Sequence, residues 1–155
     1  MSDAIRLRPA TRDDLGFLFE LYQAALGPHL AQTYGPLDRA GEHARFLATT
    51  KLETHQVVEL ESRPIGCVAA RRTPDEVRLS RVFLLPEFQK RGIGTRLVDD
   101  VSARADAAGL PVRLRVLRVN PARRLYERVG FAVTGETDTH FLMERPARKR
   151  GSESR

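Results

Sequence analysis

Two glycines one residue apart, Gly92 and Gly94, sit among Lys90, Arg91 and Arg96 in the stretch LLPEFQKRGIGTRLV, residues 84–98. Glycine has no Cβ, so a ligand can approach the backbone closely there. An amphipathic segment follows at once. The first N–H groups of a helix have no intrahelical acceptor, and the positive end of its dipole faces the same spot. A phosphate or pyrophosphate is the group that such amides and cations would hold. Downstream lie a phenol, Tyr126 in LYERVGF, and a carboxamide, Asn120 in VNPARR. A phenol of ordinary pKa, ~10, is protonated at neutral pH and can serve as a proton donor. Read by residue type alone, Tyr126 serves equally as the buried-face residue of a short helix with Leu125 and Val129. Asn120 serves equally as the cap of that helix.

Other chemistries fit the glycines less well. A dinucleotide fingerprint needs a third glycine where Leu97 stands and an acidic ribose partner further on. A phosphate loop of the Gly-Lys-[Ser/Thr] kind is absent, and a helix start with incidental glycines is the plain structural alternative. His29, His43, His55 and His140 show no metal-ligand spacing, so no metal is expected. There is no nucleophile elbow. Cys67 lies within an apolar strand and reads as a small buried hydrophobe. Glu42, Glu59, Glu136 and His140 are general-base candidates by residue type only, and His29, Tyr34 and His43 are candidates to wall an acceptor pocket.

These residues need elements to place them. Alternation in AIRLRPAT predicts a strand near residues 4–9, and Thr11 with Asp14 resembles a capping box. Leu15, Leu18, Phe19, Tyr22 and Leu26 repeat at helical spacing, with Gly27-Pro28 as the expected terminator and a loop after it. A second helix is expected from Asp38 to about Thr49. Two β-rich runs around Ser62-Arg63-Pro64 predict a hairpin, and EVRLSRVFLL a further strand. Helix 3 is expected from about Arg91, with Ile93, Leu97, Val98, Val101 and Ala105 on one face and Gly109 beyond its end. PVRLRVLRV alternates as a strand. NPARRLYERVG suits a helix with Asn120 as cap, Pro121 in first position and Gly130 past the end. FAVTGE and HFLMER close the set, and the polar, basic residues 146–155 are expected to be disordered. The order β-α-α-β-β-β-α-β-α-β-β is that of an α/β (α+β) fold with a mixed central sheet. Strands 4 and 5 are joined by a crossover helix and are therefore parallel neighbours.

At 155 residues the chain suits one domain, expected over residues 1–145. It has 41% hydrophobic and 30% charged residues, no apolar run of membrane-spanning length and one cysteine. Those properties fit a cytoplasmic globular protein outside the membrane. The net charge of +6 is compatible with an anionic partner. Its arginines are scattered and tryptophan is absent, which argues against nucleic acid and leaves a phosphate-bearing small molecule.

PEFQKRGIGTRL resembles the signature of the GCN5-related N-acetyltransferase (GNAT) family, Gln/Arg-x-x-Gly-x-Gly/Ala, with Gln89, Gly92 and Gly94 in its places. LYERVGF, residues 125–131, resembles the family's second motif, and the element order agrees over roughly residues 4–145. The resemblance implies acetyl-CoA as co-substrate, no metal, and an amine of a small molecule or of a peptide or protein as acceptor. Its pyrophosphate would lie on the backbone N–H groups of Lys90, Arg91, Gly92, Ile93, Gly94 and Thr95, and the resemblance places Gln89 with them among the co-substrate-binding residues. In the family, strands 4 and 5 splay and the pantetheine arm pairs with strand 4. That assigns the backbone of Leu84 and Leu85 to the co-substrate, with the Leu84 N–H as oxyanion donor. Pro86, lacking an N–H, would end the strand's ladder. Tyr126 matches the tyrosine that protonates the coenzyme A sulfur. Asn120 stands six residues before Tyr126, where the family's pantetheine-binding asparagine stands seven before; Val119 takes that place. Members often dimerise, so a homodimer is open. A non-catalytic acyl-CoA sensor, and more remotely a nucleic-acid-binding protein, are the alternative readings.

Overall fold

The computed structural model describes residues 5–148. Ala4 and residues 149–155, which carry one end of the expected first strand and most of the expected disordered tail, lie outside the described residues. The chain divides into two compact units, one of residues up to Ala69 with Arg81–Arg91, the other of Ala70–Ser80 with the residues from Gly92 on.

The first unit begins with β1 (Ile5–Pro9), then α1 (Leu15–Tyr34), α2 (Arg39–Thr49), β2 (His55–Leu60) and most of β3 (Arg63–Arg72). It also takes the second half of β4 (Val77–Leu84). Strand β1 pairs antiparallel with β2, and β2 with β3. A 3-10 turn, Arg12–Asp14, leads into α1, and the expected capping pair forms: the Thr11 N–H donates to Asp14 Oδ2 at 2.8 Å. Arg8 from β1 grips the same carboxylate with both Nη atoms, 2.9 Å each, and reaches Glu59 of β2 at 2.8 Å. One guanidinium thus ties two strands to a helix start. Leu18, Phe19, Leu21 and Tyr22 of α1 pack with Phe46 of α2 and Cys67 of β3.

Helix α1 does not stop at Gly27-Pro28. It runs to Tyr34, with Pro28 inside it, and ends at Gly35, whose φ of 91° no β-carbon-bearing residue adopts readily. An interior proline costs roughly 3 kcal/mol through its missing hydrogen bond and ring clash. Leu26 and Leu30, on either side of it, both pack against the α1–α2 cluster. Burying leucines contributes about 1.5–3 kcal/mol each when complete, enough to offset the proline. The β2–β3 turn is Glu61-Ser62, both at positive φ (51° and 71°), one step earlier than expected. Pro64 lies within β3 opposite Glu59, beside a register shift at Val58/Glu59.

The second unit holds the start of β4, then α3 (Ile93–Ala107), β5 (Val112–Leu117), α4 (Arg123–Arg128), β6 (Ala132–Glu136) and β7 (His140–Arg145). The crossover is as expected: β4 and β5 are parallel, with Val77 opposite Val112 and Arg78 opposite Arg113. Strand β7 pairs antiparallel with both β5 and β6. The strands follow the order β1-β2-β3-β4-β5-β7-β6 in a mixed sheet. Helix α3 buries Ile93, Leu97, Val98, Ser102 and Ala105. It starts at Ile93 and not at Arg91, because Lys90 and Gly92 both have left-handed backbone, which a right-handed helix excludes. Its far end is fixed by a fork: Arg145 of β7, 5% exposed, donates to both oxygens of Asp106 at 2.8 and 3.1 Å.

Candidate active site

In the first unit, the chemistry expected of β4 converges on two peptide groups. The Leu85 N–H donates to the Ile65 carbonyl of β3 at 2.8 Å, and the Leu85 carbonyl accepts from Phe88 N at 2.9 Å. Both polar groups of Leu85 are therefore spent. Successive residues of a strand turn their N–H and C=O to alternate edges, so those of Leu84 face the edge away from β3. Two contacts agree. The Leu84 carbonyl accepts from Gln89 Nε2 at 3.0 Å. On the other side, Phe83 O, across the same peptide plane from the Leu84 N–H, lies against Gly66 of β3.

Gly66 was not singled out by its sequence, and it is the residue whose identity matters most here. A Cβ at position 66 would sit 2.8 Å from Leu84 Cδ2 and 3.3 Å from Leu84 Cα, and closer still to the Phe83 oxygen. The available signal was a glycine inside a strand, which often marks a close backbone approach.

Beyond Pro86 the chain makes a 3-10 turn, Pro86–Phe88, and Phe88 is buried with the guanidinium groups of Arg63 and Arg91 over its ring, 5.1 and 5.2 Å from the centre. Lys90 has φ 62°, a strained value for a residue with a Cβ. Such strain is found where a loop must present its groups in one way.

In the second unit, α3 opens on Gly92, at φ 82° and ψ 0°. The first helical bond runs from Arg96 N to Gly92 O at 3.1 Å, so the N–H groups of Ile93, Gly94 and Thr95 precede the ladder. No acidic side chain stands in the first turn and no side chain caps it. The positive helix end therefore meets no acidic side chain in its own first turn.

Tyr126 lies on α4 and is 9% exposed, its ring edge-on to Phe131 at 5.7 Å. Burial pushes its hydroxyl up to about 12, because the phenolate would lose its hydration. Asn120 sits just ahead of α4. Its carboxamide oxygen accepts from Ala122 N at 2.9 Å, and its backbone carbonyl from Arg123 N at 3.4 Å. Capping is thus done one turn before the regular helix, which starts at Arg123 and not at Pro121.

The carboxylates weighed as bases are engaged elsewhere: Glu59 with Arg8, Glu136 with Arg118 at 2.7 Å, and Glu42 with Gln23 Nε2 at 2.7 Å. His140 opens β7, with Nδ1 2.7 Å from Thr139 Oγ1 and Nε2 3.5 Å from Arg115. Burial and the Arg115 charge both hold its pKa down, favouring the neutral ring. His43 is exposed and its ring stands edge-on to Phe19 at 4.7 Å, and Tyr34 is exposed with Arg45 over its ring. Cys67 is buried, with its thiol pushed up to about 12 by desolvation, so it is no nucleophile. Among the described residues no cluster of His, Cys, Asp and Glu is arranged to hold a metal, and no helix is long and apolar enough to cross a membrane.

A mixed sheet with a parallel β4–β5 pair joined by a crossover helix is the architecture of the GNAT fold. A profile of the acetyltransferase (GNAT) domain matches residues 51–133, and the chain belongs to that family of acetyl-CoA-dependent N-acetyltransferases. Similar folds are seen in the PaiA N-acetyltransferase of Thermoplasma acidophilum in complex with coenzyme A. That structure is 21% identical, with a TM-score of 0.76 over 94% of this chain and 99% of that one. An acetyltransferase from Thermus thermophilus is also 21% identical, with a TM-score of 0.71 over 92% and 96%. The ribosomal-protein-S18-alanine N-acetyltransferase of Escherichia coli is 18% identical, with a TM-score of 0.67 over 92% and 93%. No curated protein matches the sequence.

Proposed function

We propose that the protein, as one domain over residues 1–145, moves the acetyl group of acetyl-CoA directly onto a primary amine of a small molecule, peptide or protein. The observation that carries this is the Leu84 peptide, whose N–H is turned to the edge of β4 that β3 does not use. The residues present suit the co-substrate: α3 offers three N–H groups ahead of its ladder without an acidic neighbour, and a Cβ on Gly92 would meet no atom within 4 Å. We assign the pyrophosphate to the backbone of residues 90–95. Leu84 takes the pantetheine-facing role, and Leu85, with both its groups spent, drops out of it.

Acetyl-CoA, when bound, supplies the activated acyl group as a thioester. The Leu84 N–H then stands as a fixed donor to the thioester oxygen as negative charge grows on it, a contribution of roughly 3–4 kcal/mol in other acyl transfers. Tyr126 keeps its proton across the physiological range and yields it to the departing sulfur. A phenol of raised pKa is a poor acid towards a thiolate in water. A thiolate brought into the same desolvated surroundings is raised as well, so the two stay matched. His140, its neutral ring favoured by the lowered pKa, is the candidate for taking the amine's proton, since Glu59 and Glu136 are ion-paired and Glu42 is held by Gln23. The free, buried Cys67 suits a reducing compartment, and we place the activity in the cytoplasm.

The test is thiol release from acetyl-CoA by the purified protein across panels of small amines, amino acids and peptides. Release with at least one amine class, and an acetylated product by mass, is the expected result. Tight acetyl-CoA binding with no release from any panel would replace the enzyme with an acyl-CoA sensor.

A further inference from the structure

The glutamine of the signature does something other than face a phosphate. Gln89 Nε2 donates to the Leu84 carbonyl at 3.0 Å, across a loop that is itself closed by Phe88 N to Leu85 O (2.9 Å) and Gln89 N to Pro86 O (3.2 Å). Residues 84–89 therefore form a small knot, tied from side chain to backbone. The carbonyl it holds faces the same edge as the Leu84 N–H. Without Gln89, that carbonyl would be anchored only from the far corner of its peptide plane, where the Leu85 N–H meets Ile65 of β3 at 2.8 Å, at a strand end with no further ladder beyond Pro86. It would also leave a partial negative charge beside the place where a second negative oxygen is to develop.

We infer that Gln89 is a positioning residue: it fixes the Leu84 peptide through its carbonyl, so that the neighbouring N–H keeps its aim, and it does not itself bind the co-substrate. This rests on the reading of Leu84 as oxyanion donor. The hydrogen bond also fixes the span between that donor and Lys90, whose strained backbone begins the phosphate-facing turn. What the side chain must supply is a long reach and an N–H donor. Arginine has both. Glutamate has the reach but no donor, and methionine has neither charge nor donor.

The experiment compares full-length wild type with Gln89→Glu, Gln89→Met and Gln89→Arg, using acetyl-CoA and whichever amine releases thiol. The Glu and Met variants are expected to lose at least tenfold in kcat, with KM for acetyl-CoA within threefold, while Gln89→Arg recovers most of kcat. A rise in the acetyl-CoA KM at unchanged kcat would make Gln89 a binding residue and overturn the inference. A lower Tm with unchanged kcat would make it merely structural, with the same consequence. A second readout does not depend on turnover. In ¹⁵N-labelled protein, the Leu84 amide resonance should move on Gln89→Met and be restored by Gln89→Arg. If it stays in place, the inference fails even where the wild type acetylates well; if it moves in a protein that acetylates nothing, only the enzymatic reading is lost.

Discussion

Replacing Gly66 by alanine tests the active-site geometry from the side opposite to any ligand. Carbon atoms in good contact stand about 3.5–4.0 Å apart. The new Cβ would lie 2.8 Å from Leu84 Cδ2, so that methyl group must retreat by about 0.7 Å or more. A side chain can do this by turning. The Phe83 oxygen, nearer still, cannot, because it is part of a rigid peptide plane whose opposite corner is the Leu84 N–H. Pushing the oxygen away from β3 swings or shifts the proposed oxyanion donor with it. A displacement approaching 1 Å costs on the order of 10²-fold in rate, or about 2.7 kcal/mol of barrier.

The stability cost of the same change is smaller. Overpacking costs typically about 1–3 kcal/mol, and the stiffer unfolded chain returns about 0.4–1 of it. A net loss of roughly 1–2 kcal/mol corresponds to a Tm lowered by roughly 3–6 °C in a protein of this size. Gly16→Ala is the control: a Cβ there meets nothing within 4 Å, and alanine is the better helix former by about 1 kcal/mol. It should hold or raise Tm and leave turnover alone. Thiol release at saturating acetyl-CoA, alongside thermal melts, separates the two effects. If Gly66→Ala lowers Tm but keeps wild-type turnover, the peptide-plane link between Gly66 and the donor is wrong, and unchanged values of both would mean that β3 and β4 part freely.

Tyr126→Phe should keep the buried ring and its edge contact with Phe131, so acetyl-CoA affinity by calorimetry stays within about twofold, while turnover falls at least about tenfold, and by about 10²–10⁴-fold where the general acid is lost outright. With the hydroxyl at about 12, loss of that proton should leave the wild-type rate profile flat through pH 10, where an ordinary phenol would already be half ionised; an alkaline limb near 10 that vanishes in the variant would refute the burial argument. Asp14 is held down to about 2 by the Arg8 fork and the Thr11 amide, below its unfolded value of 3.8. A depressed carboxylate stabilises the fold above its unfolded pKa and loses that contribution as pH falls through the folded one. The shift amounts to about 2 kcal/mol at pH 7, of which about half remains at pH 3. Denaturant melts should therefore show Asp14→Asn less stable than wild type by about that amount at pH 7, with the gap narrowing towards pH 2; a gap that does not depend on pH would assign the effect to capping alone.

Much of this architecture is written in local patterns. Strand alternation and helical spacing give the element order, because each element hides one face and the hidden residues repeat at its own period. What local pattern lacks is the neighbour across the fold. Gly27-Pro28 and Gly35-Pro36 carry the same terminating chemistry, and only the packing of Leu26 and Leu30 on the α1–α2 cluster decides that the second pair ends α1. The β2–β3 turn uses Glu61-Ser62, neither glycine nor asparagine, so no turn residue marked it and the adjacent Pro64 drew the expectation forward. The glycine loop and Tyr126 were visible because they belong to contiguous motifs.

The part of the site that was hardest to see is the part that most constrains it. Gly66, Pro86 and Gln89 are spread over two strands' worth of sequence and have no common pattern, yet each acts on the peptides flanking Leu84. Gly66 lets the Phe83 carbonyl approach β3. Pro86 brings no N–H to extend the ladder, so the chain folds into the turn that returns Gln89 to the strand. Gln89 then holds the Leu84 carbonyl. A backbone amide turned to a sheet edge is common in proteins, but one fixed from below, from the side and from the end is costly to arrange, and nothing in the packing of β4 alone requires it. The proposed reaction would supply that requirement: a developing charge must find its donor already in place, since a donor that had to move into position would spend the stabilisation it provides.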